Sequence, residues 1–354
     1  MGGGAFIVLP PFFTAQILMD IFIKSFNRPY YLARCLQSIY QYAEGDFRIQ
    51  ILDDGTPPEY LARIAELFPK VEIHTSPLYE AKVAALQFHV AGKQVFDQRA
   101  IPTKFWLEHV SAGSNIFLLL EDDIWLTGHL QLNHIQHTME SCCLDMVKIS
   151  WLGNNEVVTG RKVVIGEQIE EIIPNIPLAS NLLVLNKFRV RSILEKLGLL
   201  SLLRNDFKLQ LPVYSLYGVA SAFFTKKYWL YLWDDRQTHV DEVQQLQKAG
   251  QWYKRHKGRY AKSRAELTKT SFITSTTNMY KGVNLDIFAL NYHLNEAWLH
   301  GKLDPMQNFP RDFSQEYLGN ILMATGDTRT NVREWAKWIQ KFKAQYLSFG
   351  CVVE

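Results

Sequence analysis

The first 152 residues alternate between two hydrophobic patterns. Short apolar runs predict β-strands, and apolar residues that recur at every third or fourth position predict amphipathic helices. The predicted strands cover residues 20–26, 47–52, 71–74, 116–120 and 147–151, and the predicted helices cover 30–43, 58–68, 80–97 and 128–143. Strands and helices that alternate over short connections favour right-handed crossovers and a mostly parallel sheet with helices on its faces.

The pattern becomes less regular after residue 152. The sequence there predicts a strand at 220–224, loops with short strands at 268–284, and helices at 186–204, 226–232, 240–257 and 329–347. The expected fold class is α/β, with a mostly parallel sheet flanked by helices and a C-terminal helical extension. We expect the halves 19–152 and 153–310 to build the domain and 311–354 to form the extension.

Residues 1–18 carry no charge and are mostly apolar, and Pro10 and Pro11 interrupt them. They lack the basic leader of a signal peptide and the unbroken length of a membrane helix. We expect them to be an N-terminal extension, with Met19 as the natural start.

Composition narrows the functional classes. The hydrophobic share of 47% supports a large core, and the net charge of +3 is too small to argue for nucleic-acid binding. The four cysteines include no C-x-x-C pair, so neither a zinc framework nor a disulfide scaffold is expected. A reducing, cytoplasmic location follows as the expectation.

Glu121, Asp122 and Asp123 directly follow the apolar run of the fourth predicted strand. That run predicts a strand buried on both faces, so the acids lie at its carboxyl end, where open α/β sheets bind ligands. Neighbouring carboxylates repel one another unless a positive charge neutralises them, and a divalent cation is the usual solution. Asp53 and Asp54 end the second strand in the same way. The pattern predicts a metal–nucleotide site at this edge.

Simpler interpretations of these acids stay open. Asp53 and Asp54 precede Gly55 and are also typical of a plain turn. Glu121 and Asp122 would also suit the start of a following helix. No P-loop, Rossmann glycine turn, H-E-x-x-H or G-x-S-x-G motif is present in the sequence, so a diphosphate would have to be held through a metal on the carboxylates.

Three segments in this order resemble the GT-A glycosyltransferases, and the first half resembles their large family 2. These segments are Ser25-Phe26-Asn27-Arg28-Pro29, Leu52-Asp53-Asp54-Gly55-Thr56 and Leu120-Glu121-Asp122-Asp123, the last being an acidic D-x-D variant. The resemblance covers residues 20–151. A thinner likeness, carried by the E-D-D motif and by Ile273–Val283, is to eukaryotic N-acetylglucosaminyltransferase I and its relatives.

The resemblance implies a role for each matching residue. Asp123 would be the direct ligand of Mn²⁺ or Mg²⁺, which favour carboxylate and phosphate oxygens and polarise the leaving diphosphate. Asp53 would accept a hydrogen bond from the nucleobase or ribose, and Arg28 would hold the nucleotide. The remaining residues expected to bind the nucleotide-sugar are Asn27, Asp54, Glu121, Asp122 and Lys82.

Inverting transfer also needs a general base that takes the proton of the acceptor hydroxyl. In the resembling enzymes this base follows the segment that binds the acceptor. We therefore expect Asp241 or Glu242 to be the base, with Asp234 and Asp235 as the second choice. Asp241 and Glu242 would equally suit a helix start, where acids are common.

The expected function is a metal-dependent glycosyltransferase, inverting, with a UDP-sugar as donor and a saccharide, glycan or lipid-linked hydroxyl as acceptor. The alternative enzyme is a sugar nucleotidyltransferase, but Ser25–Arg28 lacks the glycine-rich loop of that class. A catalytically silent carbohydrate-binding protein of the same fold is the alternative outside enzymes. The basic C-terminal helix, with Trp335 and Trp338, would also allow peripheral contact with a membrane.

Overall fold

The computed structural model of the chain describes residues 18–98, 100–185, 207–234 and 242–354. Thirteen strands occur in these segments, and nine of them form one sheet. In chain order the strands are β1 Met19–Ser25, β2 Ala43–Glu44, β3 Phe47–Asp53, β4 Glu72–Thr75, β5 Ile116–Glu121, β6 Ile124–Leu126, β7 Leu130–Gln131, β8 Met146–Lys148, β9 Arg161–Val164, β10 Ile169–Ile173, β11 Ala222–Thr225, β12 Tyr260–Ser263 and β13 Thr268–Thr270.

The large sheet has the strand order β4-β3-β1-β5-β11-β8-β12-β10-β9. The first four strands are parallel to one another, and β8 is parallel to β12. Strand β11 is antiparallel to both β5 and β8, and β10 is antiparallel to both β12 and β9. Within this sheet, β10 and β11 therefore oppose the other seven strands, which confirms the prediction of a mostly parallel sheet.

Helices cover both faces of the sheet. In chain order the longer helices are α1 Pro29–Tyr42, α2 Pro58–Leu67, α3 Tyr79–Val90, α4 Thr103–Ala112, α5 Leu132–Ser141, α6 Lys226–Trp233, α7 Glu242–His256, α8 Ile287–Leu299, α9 Gln315–Thr325 and α10 Val332–Ser348. Ile21 and Ile23 point into a core with α1, α8 and α10, while Phe22 points into a second core with α4, α6 and α7. Burial on both faces explains the continuous apolar runs Ile21–Ile23 in β1 and Ile116–Leu120 in β5.

Several predicted boundaries were wrong. The helix predicted at 80–97 ends at Val90, where Gly92 adopts φ +69° and stops the helical path. The helix predicted at 128–143 begins only at Leu132, because the chain after the acids first forms β6 and β7. Periodicity missed α4, α8 and α9. The helix predicted at 186–204 lies outside the described residues.

The C-terminal helix α10 packs on the domain through its aromatic side. Trp335 and Trp338 are each 1% exposed and belong to the first core, so neither indole is available to a membrane. The suggestion that these two tryptophans face a lipid surface was therefore wrong. No helix in the described parts of the chain is long and apolar enough to cross a membrane.

Candidate functional site

A cleft of about 490 Å³ opens at the carboxyl edge of β1, β3 and β5. The ends of these strands and the residues just after them supply seven of the fifteen lining residues, the chain from α3 to α4 supplies five, and residues 276–278 supply three. The residues lining the cleft are Lys24, Ser25, Phe26, Arg28, Asp54, Lys82, Phe96, Gln98, Ile101, Trp106, Glu121, Asp122, Thr276, Thr277 and Asn278. The three segments behind the family resemblance therefore converge on one cavity.

Arg28 joins the first and third of these segments. Its Nη2 lies 2.5 Å from Asp122 Oδ1, and its Nη1 lies 2.9 Å from Asp123 Oδ2. Parallel pairing of β1 with β5 creates this contact, and Phe26 N donates to Asp122 Oδ2 at 3.0 Å. Burial alone would lower the pKa of Arg28, but the two carboxylates raise it above its usual value. The guanidinium therefore stays charged.

Lys24 neutralises the remaining acid. Its Nζ lies 2.7 Å from Glu121 Oε1, and it also lies 5.0 Å and 5.3 Å from the ring centroids of Trp106 and Trp233. Burial acts to raise the pKa of Glu121, but the Lys24 ammonium outweighs it and holds the pKa below its usual value. The chain thus supplies two cations beside the three acids, and a divalent cation at this edge stays a prediction.

A metal held by the protein alone does not fit this edge. Among the residues that the structure describes, no group of three or more His, Cys, Asp or Glu side chains could hold an ion. Both oxygens of Asp122 are occupied, by Arg28 and by the backbone N–H of Phe26. Asp123 uses one oxygen, and its side chain is 15% exposed. Asp123 does not belong to the residues that line the cleft, so its contact with an ion that arrives with a diphosphate stays a prediction. Such an ion would need only one or two carboxylates besides the phosphates.

Asp53 is fully buried and organises the turn after β3. Its Oδ1 accepts the backbone N–H groups of Gly55 and Thr56 at 2.9 and 2.8 Å, and its Oδ2 accepts the Thr56 hydroxyl at 2.6 Å. Burial raises the pKa of Asp53 to about 6 despite these bonds. Asp53 is 0% exposed and does not line the cleft, so its contact with a nucleotide stays a prediction.

Asp54, the next residue, faces the cleft. Its carboxylate accepts the Ser76 hydroxyl at 2.5 Å and the Lys82 ammonium, and Lys82 also donates to the carbonyl of Ala100. Burial raises the pKa of Asp54, while Lys82 and Ser76 oppose the shift. Lys82 thus lines the cleft with its charge paired to Asp54, and its contact with a nucleotide-sugar stays a prediction.

Asn27 holds the turn between β1 and α1 with a left-handed backbone, φ 54°. Its backbone N–H donates to Thr56 Oγ1 at 2.8 Å, and its side-chain oxygen accepts Asn295 Nδ2 at 3.0 Å. The residue is buried and does not line the cleft. Its described contacts fix the position of Arg28 next to it; direct contact with a nucleotide-sugar stays a prediction.

Glu242 is the first residue of α7, and it does not belong to the residues that line the cleft. Its Oε2 accepts the Tyr214 hydroxyl. Burial raises the pKa of Tyr346, and the negative charges of Asp123, Glu121 and Glu242 raise it further. Glu242 and the acids that follow β5 therefore act on the same tyrosine side chain.

The other candidates for a general base are placed less favourably or lie outside the described residues. Asp241 and Asp235 are both outside them. Asp234 is exposed and lines a separate open groove with Lys104 and Tyr231, outside the lining of the 490 Å³ cleft. Trp233 is buried in the second core, so it offers no face to a sugar.

Sequence reasoning missed four features of the site. Lys24 directly precedes the recognised segment Ser25–Pro29, Trp106 comes from a helix that periodicity did not reveal, and Thr276–Asn278 and Tyr346 come from the C-terminal half. The sequence alone could have indicated Lys24, because a lysine in a buried central strand needs a buried partner of opposite charge.

Comparisons with known proteins show only distant likeness. No protein-family model matches the sequence, and none of the curated proteins does. The solved structure of S. aureus TarS 1-349 in complex with UDP matches with 13% identity and a TM-score of 0.39, over 89% of this chain and 74% of that one.

Glucosyl-3-phosphoglycerate synthase from Mycobacterium tuberculosis, in complex with phosphoglyceric acid, matches with 9% identity and a TM-score of 0.37, over 81% of each chain. At this level of similarity, neither structure assigns an activity to this chain.

Proposed function

We propose that this chain is a GT-A glycosyltransferase that takes a sugar from a nucleoside diphosphate donor, with UDP as the nucleotide. The observation that supports the proposal is the convergence of Arg28, Asp54 and Asp122 on one cleft, although they come from three strand ends. Nucleotide ligands of open α/β sheets bind at this edge.

The charges of the cleft suit a diphosphate. Lys24, Arg28 and Lys82 line it together with Asp54, Glu121 and Asp122. Each cation is already paired with a carboxylate, so it is held in place before a ligand arrives. Such preorganised charges stabilise the negative charge that develops on a leaving diphosphate.

Asp123 is the residue that would hold Mn²⁺ or Mg²⁺, and a bound ion would supply Lewis-acid stabilisation of the leaving group. Side chains of the protein would perform the remaining roles in the reaction. Arg28 orients Asp123 through their 2.9 Å hydrogen bond. In an inverting reaction Glu242 or Asp241 would take the proton of the acceptor hydroxyl, and Tyr214 holds the Glu242 carboxylate by a hydrogen bond.

Calorimetric titration with UDP, with and without Mn²⁺, tests the donor site. We expect Mn²⁺ to strengthen UDP binding to the wild type, and Asp123→Asn to remove that gain while keeping the metal-free affinity. Slow hydrolysis of a panel of UDP-sugars then tests the chemistry. We expect Glu242→Gln or Asp241→Asn to reduce hydrolysis about 10²-fold or more without changing UDP affinity. Absence of UDP binding under both conditions would refute the proposal.

A further inference from the structure

Residues 271–278 belong to no helix or strand, and the last three of them form a wall of the cleft. Strand β13 ends just before this segment, and α8 begins only at Ile287. Thr276, Thr277 and Asn278 line the cleft, and Thr277 and Asn278 are also exposed to solvent. Because this segment is not part of a helix or sheet, its backbone N–H and C=O groups need other hydrogen-bond partners.

Three side chains donate hydrogen bonds to backbone carbonyls of this segment, at residues 273, 275 and 278. Trp335 Nε1 donates to Ile273 O at 2.7 Å, Asn291 Nδ2 donates to Ser275 O at 2.8 Å, and Trp338 Nε1 donates to Asn278 O at 2.9 Å. All three donors are buried. These distances are those of well-formed hydrogen bonds.

The packing of Trp338 leaves its N–H little freedom. Its ring lies 4.8 Å from the Phe342 ring and 5.9 Å from the Tyr280 ring, centroid to centroid. On the wall itself, Ser275 Oγ accepts the backbone N–H of Asn278 at 3.3 Å. The backbone is thus fixed from behind, while the threonine and asparagine side chains line the cleft.

We propose that Trp338 is a positioning residue of the donor site, which fixes the wall Thr276–Asn278 against a bound nucleoside diphosphate through its bond to Asn278 O. The C-terminal helix then contributes to donor binding without touching the donor. The inference rests on the proposed function, because it takes the cleft to be the nucleotide site.

The first test examines the wall itself and needs no ligand. Trp338→Phe removes the N–H but keeps an aromatic ring. Hydrogen exchange of the amides of residues 275–279 should become about two- to twelve-fold faster, the range expected for losing one net hydrogen bond. Trp229→Phe is the matched control, since Trp229 is 0% exposed and its Nε1 has no partner among the described residues. Unchanged exchange in Trp338→Phe, or equal acceleration in both variants, would overturn the proposal.

The second test is a double-mutant cycle on UDP affinity, measured by calorimetry with Trp338→Phe and Thr277→Val. If Trp338 acts through the wall, the double variant should bind UDP no more weakly than the weaker single variant, within about two-fold. Multiplicative losses, or no loss of UDP affinity in Trp338→Phe, would refute the positioning role. A wild type that does not bind UDP would reject the proposed function and the donor role of Trp338, whereas the exchange result would still decide whether Trp338 holds the wall.

Discussion

The strongest prediction concerns the buried arginine that joins the motifs. The side chains of Arg28 and Asp122 are 7% and 3% exposed, and their shortest N–O distance is 2.5 Å. Arg28→Met removes the cation and leaves a buried carboxylate without its partner. Breaking a buried pair from one side costs about 3–5 kcal/mol. Since single domains are stable by about 5–15 kcal/mol, this variant should lose a large part of its stability.

Urea unfolding, followed by both circular dichroism and tryptophan fluorescence, measures the loss. Arg63→Met is the matched control, because the Arg63–Glu66 pair is exposed and should contribute less than about 1 kcal/mol. The double variant Arg28→Met/Asp122→Asn should recover most of the lost stability, because a neutral amide tolerates burial better than an unpaired carboxylate. A loss below about 1 kcal/mol in Arg28→Met, or no recovery in the double variant, would show that the buried-charge argument is mistaken.

Three further predictions address other parts of the molecule. Burial lowers the pKa of Lys148 to about 7, below its unfolded value of 10.5. Between these two pH values the unfolded chain binds more protons than the folded chain, so the stability of the wild type rises with pH. In urea unfolding, Lys148→Met should be more stable than the wild type by up to about 5 kcal/mol at pH 6, and this gain should disappear near pH 10.5. Tyr214→Phe releases Glu242 and should slow UDP-sugar hydrolysis a few-fold at unchanged UDP affinity, and equal rates would exclude an orienting role for Tyr214. Gly55→Ala should lower the thermal midpoint and cost about 1–3 kcal/mol, because Gly55 has φ +143° and an added Cβ would lie 2.9 Å from Lys82 Cβ; a stable variant would contradict this.

Local pattern was enough to predict the central part of the fold. The strands β1, β3 and β5, and the acids at the ends of β3 and β5, appear in the structure within a residue or two of their predicted places. Periodicity failed where helices are buried on several sides, as in α8, because such helices have no polar face. The edge of the sheet that carries the candidate site could thus be predicted, but not all of its walls.

The sequence by itself determined which residues can be strands, and that acids and an arginine stand at strand ends. Only the tertiary structure decided which charges meet: Arg28 pairs with Asp122 and Asp123 across 94 and 95 residues, and Lys24 pairs with Glu121 through the register of β1 on β5. Strand order and register are non-local, and a periodic pattern records only which face of an element is buried. For the same reason no local pattern could assign the tryptophans of α10 to the wall of the cleft, because that contact depends on where the helix docks.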